Sequence, residues 1–192
     1  MIPDPYGTAP GLPDEAFDSD GLLTKRHVRA SALAVLRPRP GEVLWDLGAG
    51  AGSVGIEWAR TDPTCRAVGV ERDAVRAARA RGNAERLGVA ERVRIVEADL
   101  RDGLAALPAP DAVFVGGGVT REVVDAAWAA LPAGGRLVLH GVTLEAEALL
   151  VDCHRAWGGA LVRLAVETAA PIGGLLGWTP ARAVVQWSGT KG

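Results

Sequence analysis

Cysteine is almost missing from this sequence. Cys65 and Cys153 are the only two, which excludes a disulfide framework and leaves two packed thiols as the expectation. Lysine is nearly as scarce, at positions 25 and 191; the other basic residues are arginine, and the formal net charge is -2. With no block of basic residues, a dedicated nucleic-acid surface is excluded. No apolar run reaches the length of a membrane span. The opening "MIPDPYGTAPGLPDEAF" is acidic and proline-rich, unlike a secretory leader. The expected compartment is therefore the cytoplasm. The three histidines are scattered without ligand spacing, so no metal site is expected.

What is present is a chain of 192 residues, 48% hydrophobic, enough for one well-packed domain and too little for two. Residues 1–20 carry four prolines and little periodicity, which predicts an irregular arm or linker ahead of a domain over 21–192. Thr24 precedes "KRHVRASALAVL", whose apolar positions Val28, Leu33, Val35 and Leu36 predict a helix with Thr24 near its N-cap.

From residue 42 onward short β-rich runs alternate with helical ones. "EVLWDL", "CRAVGVE", "RVRIVEAD", "DAVFVG" and "GRLVLHG" are predicted strands. Between and after them, "SVGIEWARTD", "AVRAARARGNAERLG", "LRDGLAAL", "TREVVDAAWAAL" and "TLEAEALLVDCHRAW" are predicted helices. This alternation predicts an α/β fold with a mostly parallel sheet covered on both faces. The rhythm then breaks: "ALVRLAVETA" and "ARAVVQWS" are both strand-like, and "APIGGLLGWTP" between them is too rich in glycine and proline for a crossover helix. Two successive strands without a helix pair antiparallel, so the sheet is expected to close with a C-terminal hairpin.

The most informative stretch is "LWDLGAGAGSVGIEWA", residues 44–59, where four glycines fall within eight positions behind an apolar strand. Glycines there allow positive φ and close approach of a ligand to the N–H groups that open the next helix. The text supports two parses. Gly50, Gly52 and Gly55 satisfy the dinucleotide pattern G-x-G-x-x-G, with Glu71 placed 21 positions after Gly50 as a ribose-binding acid. Parsed from Asp46 through Gly48, Gly50 and Gly52, it resembles the first motif of the S-adenosyl-L-methionine-dependent methyltransferases. A pyrophosphate is anionic, whereas S-adenosyl-L-methionine carries an ammonium and a sulfonium. A unit charge about 4 Å away contributes roughly 4 kcal/mol at an effective dielectric of 20, so Asp46 favours the cationic ligand. An NAD(P) oxidoreductase remains the alternative from the loop alone.

Positions at other strand ends fit the same donor: Glu71 closes the second strand, where a carboxylate can accept both ribose hydroxyls, and Asp99 closes the third, where the resemblance to these methyltransferases implies an acid at the adenine amine with Leu100 beside the ring. After the fourth strand "VFVGGGVT" offers no side chain to accept an amine proton, which argues against amino-group acceptors. Gly116, Gly117 and Gly118 leave room there for a flat substrate. His140, ending the fifth strand, is a candidate for proton handling, with a packing role the other reading.

"GLPDEAFDSDGLLTKRHVRA", "LWDLGAGAGSVGIEWA", "FVGGG" and "GWTPARAVVQWS" together resemble the C-terminal half of the precorrin-6Y methyltransferase (decarboxylating) family and its separate small-subunit form. That resemblance implies a class I methyltransferase fold of seven strands. It also implies methylation of carbon 15 of a precorrin tetrapyrrole with loss of the carbon 12 acetate carboxyl, in cobalamin biosynthesis. A donor site of Thr24, Gly48, Ala49, Gly50, Ala51, Gly52, Glu71 and Leu100 follows from matched positions. So do a homotetramer and a carbon 5 methyltransferase domain as a fused or separate partner, this chain being a stand-alone subunit or an excised half. The substrate's carboxylates suit arginine forks; Arg26, Arg29, Arg121 and Arg182 are candidates, with Trp178 in the terminal loop a substrate wall or subunit contact. A methyltransferase for another flat small molecule and an inactive cofactor-binding scaffold remain alternatives.

Overall fold

The computed structural model describes residues 6–192. Nine strands are present among them: β1 (Val43–Leu47), β2 (Arg66–Glu71), β3 (Val93–Glu97), β4 (Ala112–Val115), β5 (Arg136–Gly141), β6 (Ala160–Leu164), β7 (Glu167–Ile172), β8 (Leu175–Pro180) and β9 (Val184–Thr190). The α-helices are α1 (Arg26–Leu36), α2 (Ser53–Thr61), α3 (Ala74–Arg86), the single turn α4 (Leu100–Gly103), α5 (Arg121–Ala130) and α6 (Leu144–Trp157). Seven strands form one sheet in the order β3-β2-β1-β4-β5-β9-β6, and β7 and β8 form a separate pair.

The central strands are apolar on both faces, as strands covered twice must be: β1, β4 and β5 are buried nearly throughout. One core layer gathers Leu33, Leu36, Ile56, Trp58, Phe114 and Val138 beneath α1–α3. The other gathers Val113, Leu137, Leu139, Leu150 and Trp187 beneath α4–α6. Small residues Ala77, Ala80 and Ala84 let α3 lie close to the sheet, and its N-cap Asp73 accepts the Arg76 N–H. Thr120 and Thr143 cap α5 and α6 in the same way, accepting from Val123 and Ala146. Both cysteines are buried free thiols.

The strand order reverses between β1 and β4, each paired parallel to the other. In doubly wound sheets the ligand crevice lies at the carboxyl ends of the strands flanking such a reversal. The antiparallel closure is also present, but β9 inserts between β5 and β6, pairing antiparallel with both.

Two local expectations need correction. The segment expected to be an irregular loop after a single strand 160–169 instead forms a hairpin, Ala169 pairing with Trp178 and Ile172 with Leu175. Gly173, at φ +59°, supplies its turn; a glycine- and proline-rich pair of strands carries too little periodicity to be read. Secondly, α1 starts at Arg26 with Lys25 as an N-cap that makes no side-chain bond. Its first N–H is served from the arm instead: Asp14 Oδ1 accepts from Arg26 N at 2.9 Å. Residues 1–5 of the expected arm lie outside the described residues; from residue 6 to 20 it is irregular apart from a short 3-10 turn, Asp14–Ala16, yet Leu12, Ala16 and Phe17 are buried in the core.

Candidate active site

The loop after β1 turns through three left-handed glycines, Gly48 (φ 73°), Gly50 (φ 56°) and Gly52 (φ 75°), a sequence of conformations that side chains other than glycine adopt at a cost. Gly48 also meets the loop after β4: a Cβ there would lie 2.7 Å from the Gly117 carbonyl oxygen. The two glycine loops therefore touch across the switch point.

Carboxylates fix this loop from beneath. Glu71, buried at the end of β2, accepts the Gly50 N–H at 2.9 Å through Oε2 and the Asp73 N–H at 3.0 Å through Oε1. Each oxygen keeps a second lone pair for a ligand hydroxyl. Asp46 is 2% exposed and takes the Gly55 N–H at 2.9 Å, tying β1 to α2. Burial pushes the Asp46 carboxyl up to about 7; the Gly55 N–H opposes this and the Glu71 charge adds to it. Ala49 and Ala51 are buried in the loop, and the Ala51 carbonyl accepts from Asn83 Nδ2 at 2.8 Å.

Thr24 and Gly116 come together: a Cβ on Gly116 would lie 3.6 Å from Thr24 Oγ1. Because Thr24 is not the cap of α1, its hydroxyl is not spent there. Leu22 extends the same rim, its carbonyl 3.5 Å from where a Gly50 Cβ would be. On the other side Leu100 Cδ1 lies 3.7 Å from a Cβ placed on Gly118, and Leu100 with Trp45, Leu104 and Val123 lines an apolar groove of about 560 Å³ between α4 and α5. Asp99 is exposed and caps α4, accepting the Arg101 N–H at 3.0 Å.

The three glycines after β4 are not equivalent. A side chain on Gly116 would strike the Phe114 ring at 2.7 Å, Gly118 has φ +67°, and Gly117 alone of the three faces open space without a left-handed φ.

His140 is not placed for open proton exchange. It is buried behind Phe114, whose ring meets it edge-on at 4.9 Å, and its Nε2 is 2.9 Å from Gln186 Oε1. Burial lowers its pKa to about 4, against the opposing Gln186 bond, so the ring is neutral at physiological pH. Arg29 likewise cannot reach substrate: it is fully buried and bonded to Glu57 at 2.5 Å. Arg121 pairs with Asp125 at 2.9 Å and lies over the Trp157 ring. Arg26 is exposed, its stem against Gly11 of the arm. Trp178, 73% exposed, stands on the hairpin, and Arg182 is exposed in the link from β8 to β9. That hairpin springs from the end of β6 and the start of β9, where Leu164 pairs with Val184, and so rises from the same end of the sheet as the site.

The bonds by which Asp14 holds the start of α1, Glu57 the arm and Asn83 the Ala51 carbonyl were not legible in the sequence. Asn83 carried the one available signal, a polar side chain inside the Ala77–Ala80–Ala84 stripe of α3.

A parallel sheet with one antiparallel strand inserted near its edge, a left-handed glycine loop and buried carboxylates at the switch point together define an α/β methyltransferase fold. Residues 15–191 match the family model for the precorrin methyltransferase domain, and the chain belongs to that family. It is 50% identical over 185 residues to a precorrin-6Y C(5,15)-methyltransferase (decarboxylating) of Sinorhizobium sp, covering 96% of this chain and 45% of that protein. A Mycobacterium tuberculosis protein of the same name is 44% identical over 180 residues, covering 93% of this chain and 45% of its own length. The chain thus spans about half the length of these relatives. The crystal structure of the C-terminal domain of a precorrin-6Y C5,15-methyltransferase from Rhodobacter capsulatus superposes with a TM-score of 0.92 at 41% identity, over 97% of this chain and 100% of that one.

Proposed function

We propose that the chain binds S-adenosyl-L-methionine between the loops after β1 and β4. It methylates carbon 15 of a precorrin tetrapyrrole and promotes loss of the carbon 12 acetate carboxyl as carbon dioxide, in cobalamin biosynthesis. The observation that carries the donor assignment is Glu71, a buried carboxylate bonded to Gly50 N at 2.9 Å with lone pairs left for two ribose hydroxyls. Glu71 would meet the ribose of either ligand, whereas Asp46, buried under the loop, suits a ligand carrying an ammonium and a sulfonium and opposes a pyrophosphate. That disfavours the dinucleotide parse of the same glycines. The names of the relatives support the acceptor.

When bound, the donor supplies an electrophilic methyl for an electron-rich carbon. The chain's part is placement and exclusion of water. In this reading the glycine loop and Thr24 hold the donor, Leu100 flanks adenine with Asp99 at its rim, and Gly116–Gly118 give a flat macrocycle access to the methyl. The conjugated macrocycle serves as its own electron sink for decarboxylation. No histidine base is required, in keeping with a neutral, buried His140.

The same proposal places the protein in the cytoplasm as a homotetramer, assembled through the exposed hairpin, and alongside a carbon 5 methyltransferase domain, fused or separate. The apolar hairpin residues Ile172, Leu175, Leu176 and Trp178 are each at least 67% exposed, an arrangement that favours coverage by another surface. Calorimetry with S-adenosylhomocysteine and NADH side by side tests the donor. Binding of the first alone is expected, and binding of NADH alone reverses the assignment. Mass spectrometry of a tetrapyrrole reaction should then show one methyl gained and one carbon dioxide lost.

A further inference from the structure

Arg29 on α1 and Glu57 on α2 form a fully buried ion pair, Nε to Oε1 at 2.5 Å. Both spend their remaining capacity on the arm. Glu57 accepts the Gly11 N–H at 2.6 Å and the Leu12 N–H at 3.0 Å. Arg29 donates to the Leu12 carbonyl at 2.6 Å, to Asp14 Oδ1 at 3.3 Å and to the Thr24 carbonyl. One guanidinium therefore grips both ends of the segment 12–24. Its middle is held as well, by Asn83 on the Asp18 backbone and by Arg76 on Asp20 at 2.8 Å.

Burying an ion pair is a poor way to gain stability, because desolvation offsets most of the attraction. What a guanidinium adds over an apolar side chain is a rigid fork that fixes where its acceptors lie. Here those acceptors are backbone carbonyls at residues 12 and 24 and the carboxylate that caps α1. Asp14 takes the Arg26 N–H at 2.9 Å, which relieves Thr24 of capping, and the Thr24 hydroxyl faces Gly116 instead.

We infer that Arg29, acting with Asp14, is a positioning residue for the methyl-donor site: it sets Thr24 against the glycine loops by holding the Thr24 carbonyl and the arm in one fork. The inference rests on the donor-site reading above. It assigns a role to the family's opening block as a built wall of the donor site, although Arg29 itself never meets a ligand.

The test is a double-mutant cycle on S-adenosylhomocysteine affinity by calorimetry, using Asp14→Ala, Arg29→Lys, Thr24→Val and the pair Asp14→Ala/Thr24→Val, with melting temperatures recorded alongside. Asp14 is partly exposed, so its variant keeps the measurement alive if Arg29→Lys does not fold. Asp14→Ala is expected to weaken binding about fivefold, the equivalent of one lost hydrogen bond. Asp14→Asn, which keeps the oxygen acceptor for Arg26 N, should recover most of that loss. The double variant should bind no more weakly than Thr24→Val alone, because a mispositioned hydroxyl and a missing one are the same defect. A lowered melting temperature with unchanged affinity, or losses that multiply in the double variant, overturns the inference. A wild-type chain that fails to bind S-adenosylhomocysteine overturns the donor reading, and this inference with it.

Discussion

Glu71 Oε2 lies 2.9 Å from the Gly50 amide nitrogen, so the carboxylate at the end of β2 holds the glycine loop before any ligand arrives. Its second oxygen takes Asp73 N at 3.0 Å, which orients the group at both ends. A carboxylate fixed in this way meets a ribose diol without first losing rotamer freedom.

The first prediction follows from that preorganisation. Glu71→Ala removes the loop tether and the diol acceptor together, and should weaken S-adenosylhomocysteine binding by roughly 1.5 to 3 kcal/mol. Glu71→Gln keeps one oxygen acceptor and should lose less. Calorimetry decides, and an affinity unchanged in Glu71→Ala would remove Glu71 from the site.

A second prediction concerns pH. Asp46 is raised by burial to about 7 and His140 is lowered by burial to about 4. Between about pH 4 and 6.5 the folded chain carries a proton on Asp46 that the unfolded chain lacks, and lacks one on His140 that the unfolded chain carries. The two linkage slopes cancel in that window. Each variant should unmask the other residue. In Asp46→Asn, stability should climb with pH by up to about 1.4 kcal/mol per unit, and in His140→Gln it should fall by a similar amount. Urea unfolding at pH 4.5 and 6.5 checks this, and parallel pH profiles in the two variants would contradict it. A cationic donor favours ionised Asp46, so its binding near pH 7 should also release protons, visible as a dependence of the calorimetric heat on buffer ionisation.

How far the sequence reached depends on which signals are local. The β1–β5 alternation and the antiparallel ending could be read because strand and helix periods are written within a few residues. The glycine loop could be read because Gly48, Gly50 and Gly52 all need a left-handed backbone. What escaped was long-range. Asp14 caps a helix that begins twelve residues later, Asn83 clips Ala51 and Asp18 from α3, and Glu57 looks like an ordinary helix-surface acid until the arm folds over it. Arg29 belongs with these, since nothing near it in the chain reveals that it is buried at 0% exposure.

The third prediction separates assembly from substrate binding. In the β7–β8 pair, Leu176 and Trp178 share one face with Pro171 and Ala169, while Leu175 and Ile172 share the other. A two-stranded ribbon with apolar side chains on both faces is marginal alone. Trp178→Ala should therefore shift the sedimentation coefficient towards smaller species while leaving S-adenosylhomocysteine affinity intact. If the variant stays assembled and loses tetrapyrrole binding, the hairpin walls the substrate instead.

The last prediction turns on Gly117. Its carbonyl abuts Gly48, yet a Cβ on Gly117 meets nothing within 4 Å, whereas the neighbouring Gly116 is blocked by Phe114 and Gly118 by its own φ. Gly117→Val is thus the one substitution of the three that adds bulk in open space beside the Gly48 loop without a clash or a left-handed β-branched residue. Asp46, Glu71 and Thr24 stay where they are, so donor affinity by calorimetry should be within about twofold of the starting chain, the scatter expected for a change that removes no hydrogen bond. A flat macrocycle needs that space to bring its carbon to the methyl. Methyl transfer and loss of carbon dioxide should then fall together, followed as two masses in the tetrapyrrole product, because a single obstructed crevice serves both steps. Retained methylation with lost decarboxylation would mean that the two reactions occupy different pockets, and the groove beside Leu100 would become the place to look for the second.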